Sequence, residues 1–463
     1  MKFENVKIQY NGREYGLTDY QNFKSKYLTR YRNCSRVAVC MKRTPELIFA
    51  LLMFIEEEIT YIPIDPLYPK ERVQFIINNS KPDAILADTG VNDLDLINSS
   101  AGSKSDGIMY ILFTSGSTGD PKGVEVKRDG VLAFIDGVSE IIDFSAEKRI
   151  ICLTTVSFDI FFLESIMAIY KGVTVILAND EEQNNPRLIA RLIKDNKIDM
   201  LQMTPSRMQL LCNYDPELSC LKGIKDIMIG GEPFPLSLLS LLQAKTNAKI
   251  YNMYGPTETT IWSTISNLTK KNQIDIGYPI KGTEIYIVDD ELSILQNGKE
   301  GEICISGEGL AKGYSGRKDL TAEKYVYLPG KPNTKVYRTG DIGKQLPDGN
   351  LAYLGRIDNQ VKVRGHRIEL EEIESHLNRY NGIYQSVVTV REKSETEKEL
   401  IAFYTSKTAL NQNSISEYLS NKLPDYMIPL VFKSVESFFY TMNGKIDRRR
   451  VLDCKEIKAE DCR

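Results

Sequence analysis

A loop rich in glycine and hydroxyl groups follows an apolar run in the first third of this 463-residue chain. The run closes at Thr114, and the loop then holds three hydroxyl side chains, three glycines and one lysine: Ser115, Ser117, Thr118, Gly116, Gly119, Gly123 and Lys122. Glycines let backbone N–H groups converge on an anion, hydroxyls add donors, and a lysine supplies positive charge. The pattern therefore predicts a phosphate-binding loop.

Two other interpretations of this loop stay open. Its composition is also typical of a flexible surface turn between a strand and a helix. A Walker A loop is the second alternative, but that pattern needs a hydroxyl residue directly after its lysine. Because Lys122 is followed by Gly123, a kinase-like or GTPase-like loop is disfavoured.

Asp159 is the second residue with chemical meaning, because it lies between Phe158 and the apolar run 160–163. A carboxylate among apolar side chains is costly to bury without a partner, and an α-ammonium group would be a suitable one. The alternative for an isolated Phe-Asp pair is an exposed helix cap. The residues alone leave both interpretations open.

The glycine-rich loop resembles the signature of the adenylate-forming superfamily, which includes acyl-CoA synthetases, luciferases and the adenylation domains of nonribosomal peptide synthetases. Further segments resemble motifs of the adenylation domains, in the family's order: YIPIDP at 61–66, SFD at 157–159, NMYGPTE at 252–258, GEI at 301–303, YRTGD at 337–341, GRIDNQVKVRG at 355–365 and NGKIDR at 443–448. The resemblance covers nearly the whole chain, so the sequence is identified as a member of this superfamily.

The resemblance implies a nucleotide site that takes ATP, with Mg²⁺ as the metal cofactor. Thr257 and Glu258 would hold the triphosphate and its metal, because a carboxylate is the hard oxygen ligand that Mg²⁺ prefers. Tyr254 would stack on adenine, Asn252 would contact its amino edge, and Asp341 would accept hydrogen bonds from the ribose hydroxyls. The residues implied for nucleotide binding are Thr114, Ser115, Gly116, Ser117, Thr118, Gly119, Gly231, Glu232, Asn252, Met253, Tyr254, Asp341, Tyr353, Arg356 and Lys445.

Four residues are implied as catalytic: Lys122, Thr257, Glu258 and Lys445. Lys445 would bridge the substrate carboxylate and the α-phosphate and stabilise the charge that shifts between them. Taken alone, Lys445 could equally belong to a solvated basic face with the arginines at 448–450, and Glu258 could cap a helix. Little acid–base catalysis is needed, because a carboxylic acid is already ionised near neutral pH. The chain accordingly has only two histidines.

Members of the family use one site for two half-reactions: an aminoacyl adenylate forms, and a phosphopantetheine thiol then displaces AMP. The resemblance therefore implies a small domain that rotates about a hinge at Asp358. We expect a core domain at residues 1–356, with the ATP and amino acid site, and a mobile domain at 357–463 that carries Lys445. No segment resembles a carrier attachment site, so the phosphopantetheinyl carrier protein would come in trans or from a neighbouring domain, and a small activator protein could accompany it.

The substrate pocket follows from the same alignment of motifs. Its residues would be Asp159, Ile160, Leu163, Gln202, Met228, Gly230, Met253, Ile261, Trp262 and Lys445, which resembles the pattern of glycine-activating domains. Asp159 would bind the α-amine, and Trp262 would fill the volume that a side chain otherwise occupies. Alanine is the nearest competitor, because one methyl group changes binding by only about 1–3 kcal/mol unless it clashes. An aryl-acid or acyl-CoA ligase is disfavoured by Asp159, and a non-catalytic nucleotide-binding protein is disfavoured by the intact site residues.

The elements that must position these residues show two kinds of secondary-structure pattern. Apolar β-branched runs alternate with segments of helical spacing, and they stand at 109–114, 149–153, 173–177, 200–203 and 226–229. Alternation of this kind predicts parallel sheets with crossover helices, one of them at 186–197 behind Pro186. Shorter strands follow, and an α+β unit is expected from 361 onward. The expected fold class is α/β: a large N-terminal domain of αβα layered sheets plus a small β-barrel-like sheet, followed by a small mobile α+β C-terminal domain.

Composition excludes several classes of partner. The 59 Lys and Arg residues against 62 Asp and Glu residues give a net charge of −3, so no overall basic field exists for nucleic acid or anionic lipid. The longest apolar run, 47–55, is far shorter than the ~20 residues that span a bilayer, and the first residues do not resemble a signal peptide. We therefore expect a cytoplasmic monomer whose partners are an amino acid and a carrier protein, not nucleic acid or a membrane.

Overall fold

The computed structural model describes residues 1–88, 106–116, 119–363, 365–395, 398–408, 410–440 and 446–454. The strands, numbered in chain order, are β1 (Lys7–Tyr10), β2 (Arg13–Gly16), β3 (Arg36–Cys40), β4 (Thr60–Pro63), β5 (Ala84–Ala87), β6 (Ile108–Thr114), β7 (Lys122–Lys127), β8 (Arg149–Cys152), β9 (Thr174–Leu177), β10 (Met200–Met203), β11 (Asp226–Gly230), β12 (Lys249–Tyr254), β13 (Thr264–Asn267), β14 (Tyr278–Pro279), β15 (Thr283–Val288), β16 (Gly301–Gly307), β17 (Gly313–Tyr314), β18 (Tyr325–Leu328), β19 (Lys331–Gln345), β20 (Leu351–Arg356), β21 (Val361–Val363), β22 (His366–Ile368), β23 (Gln385–Glu392), β24 (Lys398–Thr405) and β25 (Val431–Ser434).

The α-helices are α1 (Leu17–Tyr31), α2 (Pro45–Glu56), α3 (Lys70–Ser80), α4 (Arg128–Ser139), α5 (Ile160–Phe162), α6 (Ala168–Tyr170), α7 (Pro186–Asp195), α8 (Pro205–Tyr214), α9 (Leu236–Lys245), α10 (Lys318–Lys324), α11 (Leu370–Leu377) and α12 (Gln412–Ser420). A π-helical segment, Leu163–Met167, joins α5 to α6. Short 3₁₀ turns stand at Glu182–Asn184, Ser219–Leu221, Thr257–Thr259, Asp425–Met427 and Arg448–Asp453.

Local sequence explains where the crossover helices begin. Asn185 accepts a hydrogen bond from the Arg187 N–H at the start of α7, and Thr204 does the same for Arg207 at the start of α8. A proline follows each of these caps, at a position where a missing N–H costs nothing. The five runs predicted as strands of parallel sheets appear as β6, β8, β9, β10 and β11, each within one residue of the predicted ends.

The described residues divide into two compact units, and the first comprises Met1–Pro66, Ile77–Phe113 and Gly123–Asp358. Its largest sheet has nine strands in the order β14-β13-β12-β11-β10-β8-β9-β1-β2, parallel from β12 to β1 with antiparallel strands at both edges. A second sheet has the order β17-β7-β6-β4-β3-β5. Strand β6 is buried almost throughout, which explains why its sequence is a continuous apolar run.

A smaller antiparallel sheet completes the first unit. It joins β15, β16, β19 and β18 in that order, and β20 pairs with β19. Its strands present Ile287, Ile303 and Ile305 to a small core that also contains Tyr254 and Leu351. Because β19 and β20 are paired where Asp341 faces Arg356, this sheet brings those two predicted site residues together.

The second unit comprises Leu67–Ile76, Thr114–Lys122 and Asn359–Arg463. It contains the β21-β22 hairpin, the three-stranded sheet β23-β24-β25, and the helices α11 and α12. Ile368, Ile373 and Ile415 lie in its core and are fully buried. The unit also includes the phosphate loop, so it is not contiguous in sequence.

These findings confirm the predicted α/β fold class, with a large N-terminal part of several sheets and a small α+β part. The division between the compact units falls after Asp358, two residues beyond the boundary predicted at 356/357. That domain boundary and the mobility of the second domain stay predictions. Within the described ranges, every helix is too short or too polar to cross a membrane.

Candidate active site

Asp159 lies between β8 and α5, in the first unit, at the start of a buried helical segment. The Thr257 side chain and the Ile160 backbone hydrogen-bond its carboxylate. Its Oδ2 atom is buried and has no hydrogen-bond partner among the described residues. Burial, together with the charge of Glu258, raises the pKa of Asp159 to about 6, and the Thr257 hydrogen bond opposes the rise. The site therefore holds a carboxylate that a cation would stabilise.

The apolar residues predicted for the pocket belong to the main hydrophobic core of the first unit. Ile160, Leu163, Met228, Met253, Ile261 and Trp262 are buried members of one hydrophobic cluster. Gln202 is also buried, and it lies on β10 opposite Met228 of β11. Its Oε1 and the indole Nε1 of Trp262 have no hydrogen-bond partner in the described parts of the chain.

Trp262 is held in place by backbone geometry on both sides. The two residues before it, Thr260 and Ile261, both have φ of +66°, which is uncommon for residues other than glycine. On the other side, a Cβ added to Gly230 would lie 2.7 Å from the Trp262 Cη2 and 2.6 Å from the Met253 carbonyl oxygen. The indole therefore packs directly against a glycine and occupies space that another residue at position 230 would need.

Glu258 is fully buried, with 0% of the residue exposed. The Tyr314 hydroxyl donates a hydrogen bond to its Oε1 at 2.8 Å, and Tyr325 donates to its carbonyl oxygen at 3.3 Å. The residue stands in the 3₁₀ turn Thr257–Thr259, so the same turn presents the Thr257 hydroxyl to Asp159 and the carboxylate to the interior. A buried acid of this kind is a suitable single carboxylate ligand for a metal ion.

The carboxylate of Asp341 lies at the centre of a polar cluster on the smaller sheet. Tyr254 donates a hydrogen bond to Oδ2 at 2.6 Å, and Arg356 donates to Oδ1 at 2.5 Å. Tyr353 packs near the Tyr254 ring at a centroid distance of 6.3 Å. Arg356 also forms a bidentate pair with Asp358, at 2.6 and 2.7 Å. The proposed ribose ligand and the proposed hinge therefore share one arginine.

Asn252 and Glu232 have structural partners as well. The Asn252 Nδ2 donates to the Asp275 carbonyl oxygen at 2.8 Å, so Oδ1 is the atom that could accept from an adenine amino group. Glu232 accepts hydrogen bonds from the backbone and hydroxyl of Ser206, at 3.0 and 2.6 Å, at the start of α8. Gly231 before it has φ of +85°. Glu232 therefore stabilises a helix start, and its predicted contact with nucleotide stays a prediction.

The phosphate loop lies in the second unit, where its donors already have partners. The Ser115 hydroxyl donates to the Arg367 carbonyl oxygen at 2.8 Å, and the Gly116 N–H donates to Glu372 Oε2 at 3.2 Å. Lys122 lies 3.5 Å from Glu369 Oε1. These contacts place two carboxylates on groups that would otherwise bind a phosphate.

Three further features of the loop bear on its predicted role in phosphate binding. Thr114 Oγ1 is buried without a hydrogen-bond partner in the described ranges. Gly119 has φ of +89°, and a Cβ there would lie 2.6 Å from the Ser375 hydroxyl. Glu372 is itself held by Arg72 at 2.9 Å, yet burial still raises its pKa above the ordinary value. The loop therefore contacts two buried acidic side chains, Glu369 and Glu372, and burial makes the ionised form of Glu372 unfavourable.

Three predicted site residues, Ser117, Thr118 and Lys445, lie outside the described residues. The catalytic role of Lys445 accordingly stays a prediction. Apart from it, the predicted amino acid pocket falls entirely within the first unit, while Thr114, Ser115, Gly116, Gly119 and Lys122 belong to the second unit. The roles of all these residues stay predictions.

A metal ion could be held here only with help from a ligand. Among the described residues, no group of three or more His, Cys, Asp and Glu side chains is arranged to bind a metal by itself. Mg²⁺ commonly uses one or two carboxylates together with substrate phosphates. The fully buried oxygen donor of Glu258 fits that requirement, so Glu258 is the residue that would hold the ion.

Sequence reasoning missed several residues that contact the site. Tyr314 holds Glu258, Glu369 and Glu372 contact the phosphate loop, and Tyr110 is near enough to Asp159 for that charge to raise its pKa. Tyr110 gave the only local signal, as a phenol within an otherwise apolar strand. The others come together through tertiary contacts between distant segments.

Three comparisons show which known proteins the chain is similar to. A family model described as AMP-binding enzyme matches residues 24–102 and 97–315. The chain is 36% identical over 440 residues to a dimodular nonribosomal peptide synthase of Bacillus subtilis (strain 168), covering 89% of the chain and 18% of that protein. It is 30% identical to holo-AB3403, a four domain nonribosomal peptide synthetase bound to AMP and glycine, with a TM-score of 0.69 over 97% of the chain and 35% of that protein.

A further solved structure, holo-PA1221, contains adenylation and PCP domains. It is 25% identical, with a TM-score of 0.84, and the match covers 97% of the chain and 81% of that protein. The chain therefore spans less than a fifth of the Bacillus relative and about a third of the four domain synthetase.

Asp159→Asn should make the folded protein more stable at pH 7.5. A pKa raised from 3.8 to about 6 means that the ionised carboxylate is costly in the folded state above pH 6. Removing that cost should raise the free energy of unfolding by about 1–3 kcal/mol, and the gain should shrink as the pH falls towards 5, where the wild-type group protonates. Urea unfolding followed by the fluorescence of Trp262, the single tryptophan, measures this.

Asp180→Asn is the matched control for this experiment, because that carboxylate is exposed in the same unit. It should change stability little at either pH. A less stable Asp159→Asn variant at pH 7.5 would contradict the electrostatic description of the site.

Glu369→Gln should tighten ATP binding. The change removes the negative charge that faces Lys122 but keeps an acceptor for Gln360, which donates to Glu369 at 2.6 Å. An incoming phosphate then competes with a weaker partner, so the dissociation constant of ATP should fall about two- to tenfold. Equilibrium binding of ATP measures the effect. Glu371→Gln makes the same charge change two residues later, in α11, where the carboxylate pairs with Arg448 instead of Lys122. An equal effect in that variant would refute the competition.

Proposed function

The chain belongs to the AMP-binding enzyme family, and we propose that it activates an amino acid, glycine above all, as an aminoacyl adenylate with release of pyrophosphate. In a second half-reaction, the same site transfers the aminoacyl group to the phosphopantetheine thiol of a carrier protein. The observation that carries this proposal is the buried carboxylate of Asp159 in an apolar wall, with an oxygen that has no protein partner in the described ranges.

The α-ammonium of an amino acid is the partner that this carboxylate lacks. Leaving a buried charge unpaired costs several kcal/mol, so a substrate that brings its own cation regains part of that cost on binding. A fatty or aryl acid has no such group and would leave the carboxylate of Asp159 unpaired. The pocket is therefore selective for zwitterions.

Size selection supports glycine among the amino acids. Trp262 is 2% exposed and packs on Gly230, while Leu163 and Met228 are fully buried nearby in the same cluster. A side chain on the substrate would have to displace these residues, and an interior at protein packing density does not yield without cost. Glycine is therefore preferred, because these buried residues exclude amino acids with larger side chains.

The chemistry consists of positioning and charge neutralisation. The substrate carboxylate attacks the α-phosphate, and an oxygen–phosphorus bond forms as the bond to pyrophosphate breaks. Lys122 and Lys445 would neutralise the phosphates and the shifting charge, while Asp341 would hold the ribose. Mg²⁺ bound through Glu258 would supply further positive charge against the triphosphate.

The carrier protein as acceptor is supported by the relatives. The Bacillus protein is a nonribosomal peptide synthase, and holo-PA1221 contains PCP domains beside its adenylation domain. Rotation of the second domain about Asp358 would switch the site from the first half-reaction to the second. The Arg356–Asp358 pair lies at this position, and the Asp358 side chain is 42% exposed.

Exchange of labelled pyrophosphate into ATP tests the proposed function. Glycine should support the highest rate among the twenty amino acids, with alanine at least about tenfold lower, and fatty and aryl acids should support none. Asp159→Asn should abolish the glycine-dependent rate. Exchange that depends on an aryl or fatty acid would indicate a CoA or aryl-acid ligase instead. Absence of exchange with every acid would refute the proposed catalysis.

Trp262→Ser should broaden the substrate range. Removing the indole opens the volume above Gly230, so the ratio of glycine to alanine exchange rates should fall about tenfold or more, and serine should become a substrate. Trp262→Phe is the matched control, because it keeps most of the filled volume and should keep the preference for glycine. An unchanged profile in Trp262→Ser would refute the pocket assignment.

A further inference from the structure

A small cavity of about 10 Å³ in the first unit is lined in part by Asp159. Its wall is mostly apolar, with Leu51, Val156 and Phe162 among the lining residues. Three lining residues carry polar groups: Tyr61 of β4, Tyr110 of β6 and Asp159 itself. The mechanism proposed above uses only the last of them.

Two of the residues that line this cavity each carry a polar atom with no hydrogen-bond partner among the described residues: the Tyr110 hydroxyl and the Asp159 Oδ2. Both are buried. A buried polar atom left without a partner is expensive, and such atoms in folded proteins are normally satisfied by protein or by ordered water. The coincidence of two such atoms at one cavity therefore calls for a shared partner.

Packing holds the Tyr110 hydroxyl where it is. The Tyr110 ring lies 5.5 Å from the Tyr61 ring and 6.3 Å from the Phe162 ring, between centroids, and the residue is 2% exposed. Burial and the negative charge of Asp159 raise the pKa of Tyr110 well above its ordinary value, so the phenol is neutral and can donate a hydrogen bond. A donor and an acceptor thus belong to two residues that line the same small cavity.

The volume of the cavity limits which molecule can be the shared partner. A buried water molecule needs a cavity of about 10–15 Å³ and at least two polar partners, and it cannot occupy a smaller void. We propose that one ordered water molecule sits in this cavity, accepts a hydrogen bond from the Tyr110 hydroxyl and donates one to Asp159 Oδ2. Tyr110 is thereby a positioning residue for the Asp159 carboxylate.

This arrangement leaves Asp159 able to bind substrate. A carboxylate oxygen can accept two hydrogen bonds, so Oδ2 takes one from the water and one from the substrate ammonium. The water and Thr257 together fix the plane of the carboxylate before substrate arrives. The consequence for the amino acid rests on the proposed function, whereas the water itself does not.

A crystal structure of the full chain tests the water directly. It should show density for one water within about 2.6–3.2 Å of both the Tyr110 oxygen and Asp159 Oδ2, and the structure of Tyr110→Phe should lack it. A cavity without density, or a water bound to neither atom, would overturn the proposal. This arm needs no activity, so it separates the failure of this proposal from the failure of the proposed function.

Stability and kinetics of Tyr110→Phe test what the water does. If the hydroxyl were simply unpaired, its removal would leave the unfolding equilibrium unchanged or favour folding. With the water in place, the unfolding constant should rise about threefold or more, the KM for glycine should rise about tenfold, and kcat and the KM for ATP should stay within about twofold. A variant as stable as wild type with an unchanged KM for glycine would overturn the proposal.

Tyr31→Phe is the matched control. That residue is also buried in the first unit, and its hydroxyl donates to the Ile85 carbonyl oxygen instead. Its loss should weaken the fold to a similar degree without changing the KM for glycine. A rise of that KM in both variants would mean that it follows general destabilisation, and the positioning role would fall.

Discussion

The buried carboxylate of Asp159 is the constraint on which the rest of the proposed site depends. Asp159 is held by the Thr257 side chain and the Ile160 backbone, and burial raises its pKa to about 6, so near neutral pH it is ionised at a cost to folding. The hydrophobic cluster around it provides the stability that makes this cost tolerable. A residue that weakens the fold but would pair with a substrate cation is what is expected of a binding site shaped for function.

The proposed size selection beside Asp159 depends on the backbone geometry around Trp262. Thr260 and Ile261 have left-handed φ angles immediately before Trp262, and Gly230 admits the indole at a distance that no Cβ could share. Strain of this kind persists only where the surrounding structure holds it in place. The Trp262 wall of the proposed pocket is therefore harder to repack around a larger substrate than a side chain on unstrained backbone would be.

Sequence reasoning reached the fold class and the strand bounds because alternating apolar runs and proline-opened helices are local signals, as β10 and α7 show. It also selected Asp159, a carboxylate among apolar residues, whereas Asp341 was selected only because its YRTGD segment resembles a family motif. It did not find Tyr314 on Glu258 or Glu372 on Gly116, because these contacts join residues 56 and 256 positions apart. It likewise could not foresee that the loop's donors already have carboxylate partners, since that depends on tertiary packing.

The most direct test of whether Asp159 binds the amino acid is a crystal structure of the protein with glycine and a nonhydrolysable ATP analogue. The glycine nitrogen should lie within about 2.7–3.2 Å of the Asp159 carboxylate, and the glycine α-carbon should lie against the Trp262 indole. Glycine bound elsewhere, or bound with its nitrogen beyond hydrogen-bond distance of Asp159, would contradict the proposed role of Asp159.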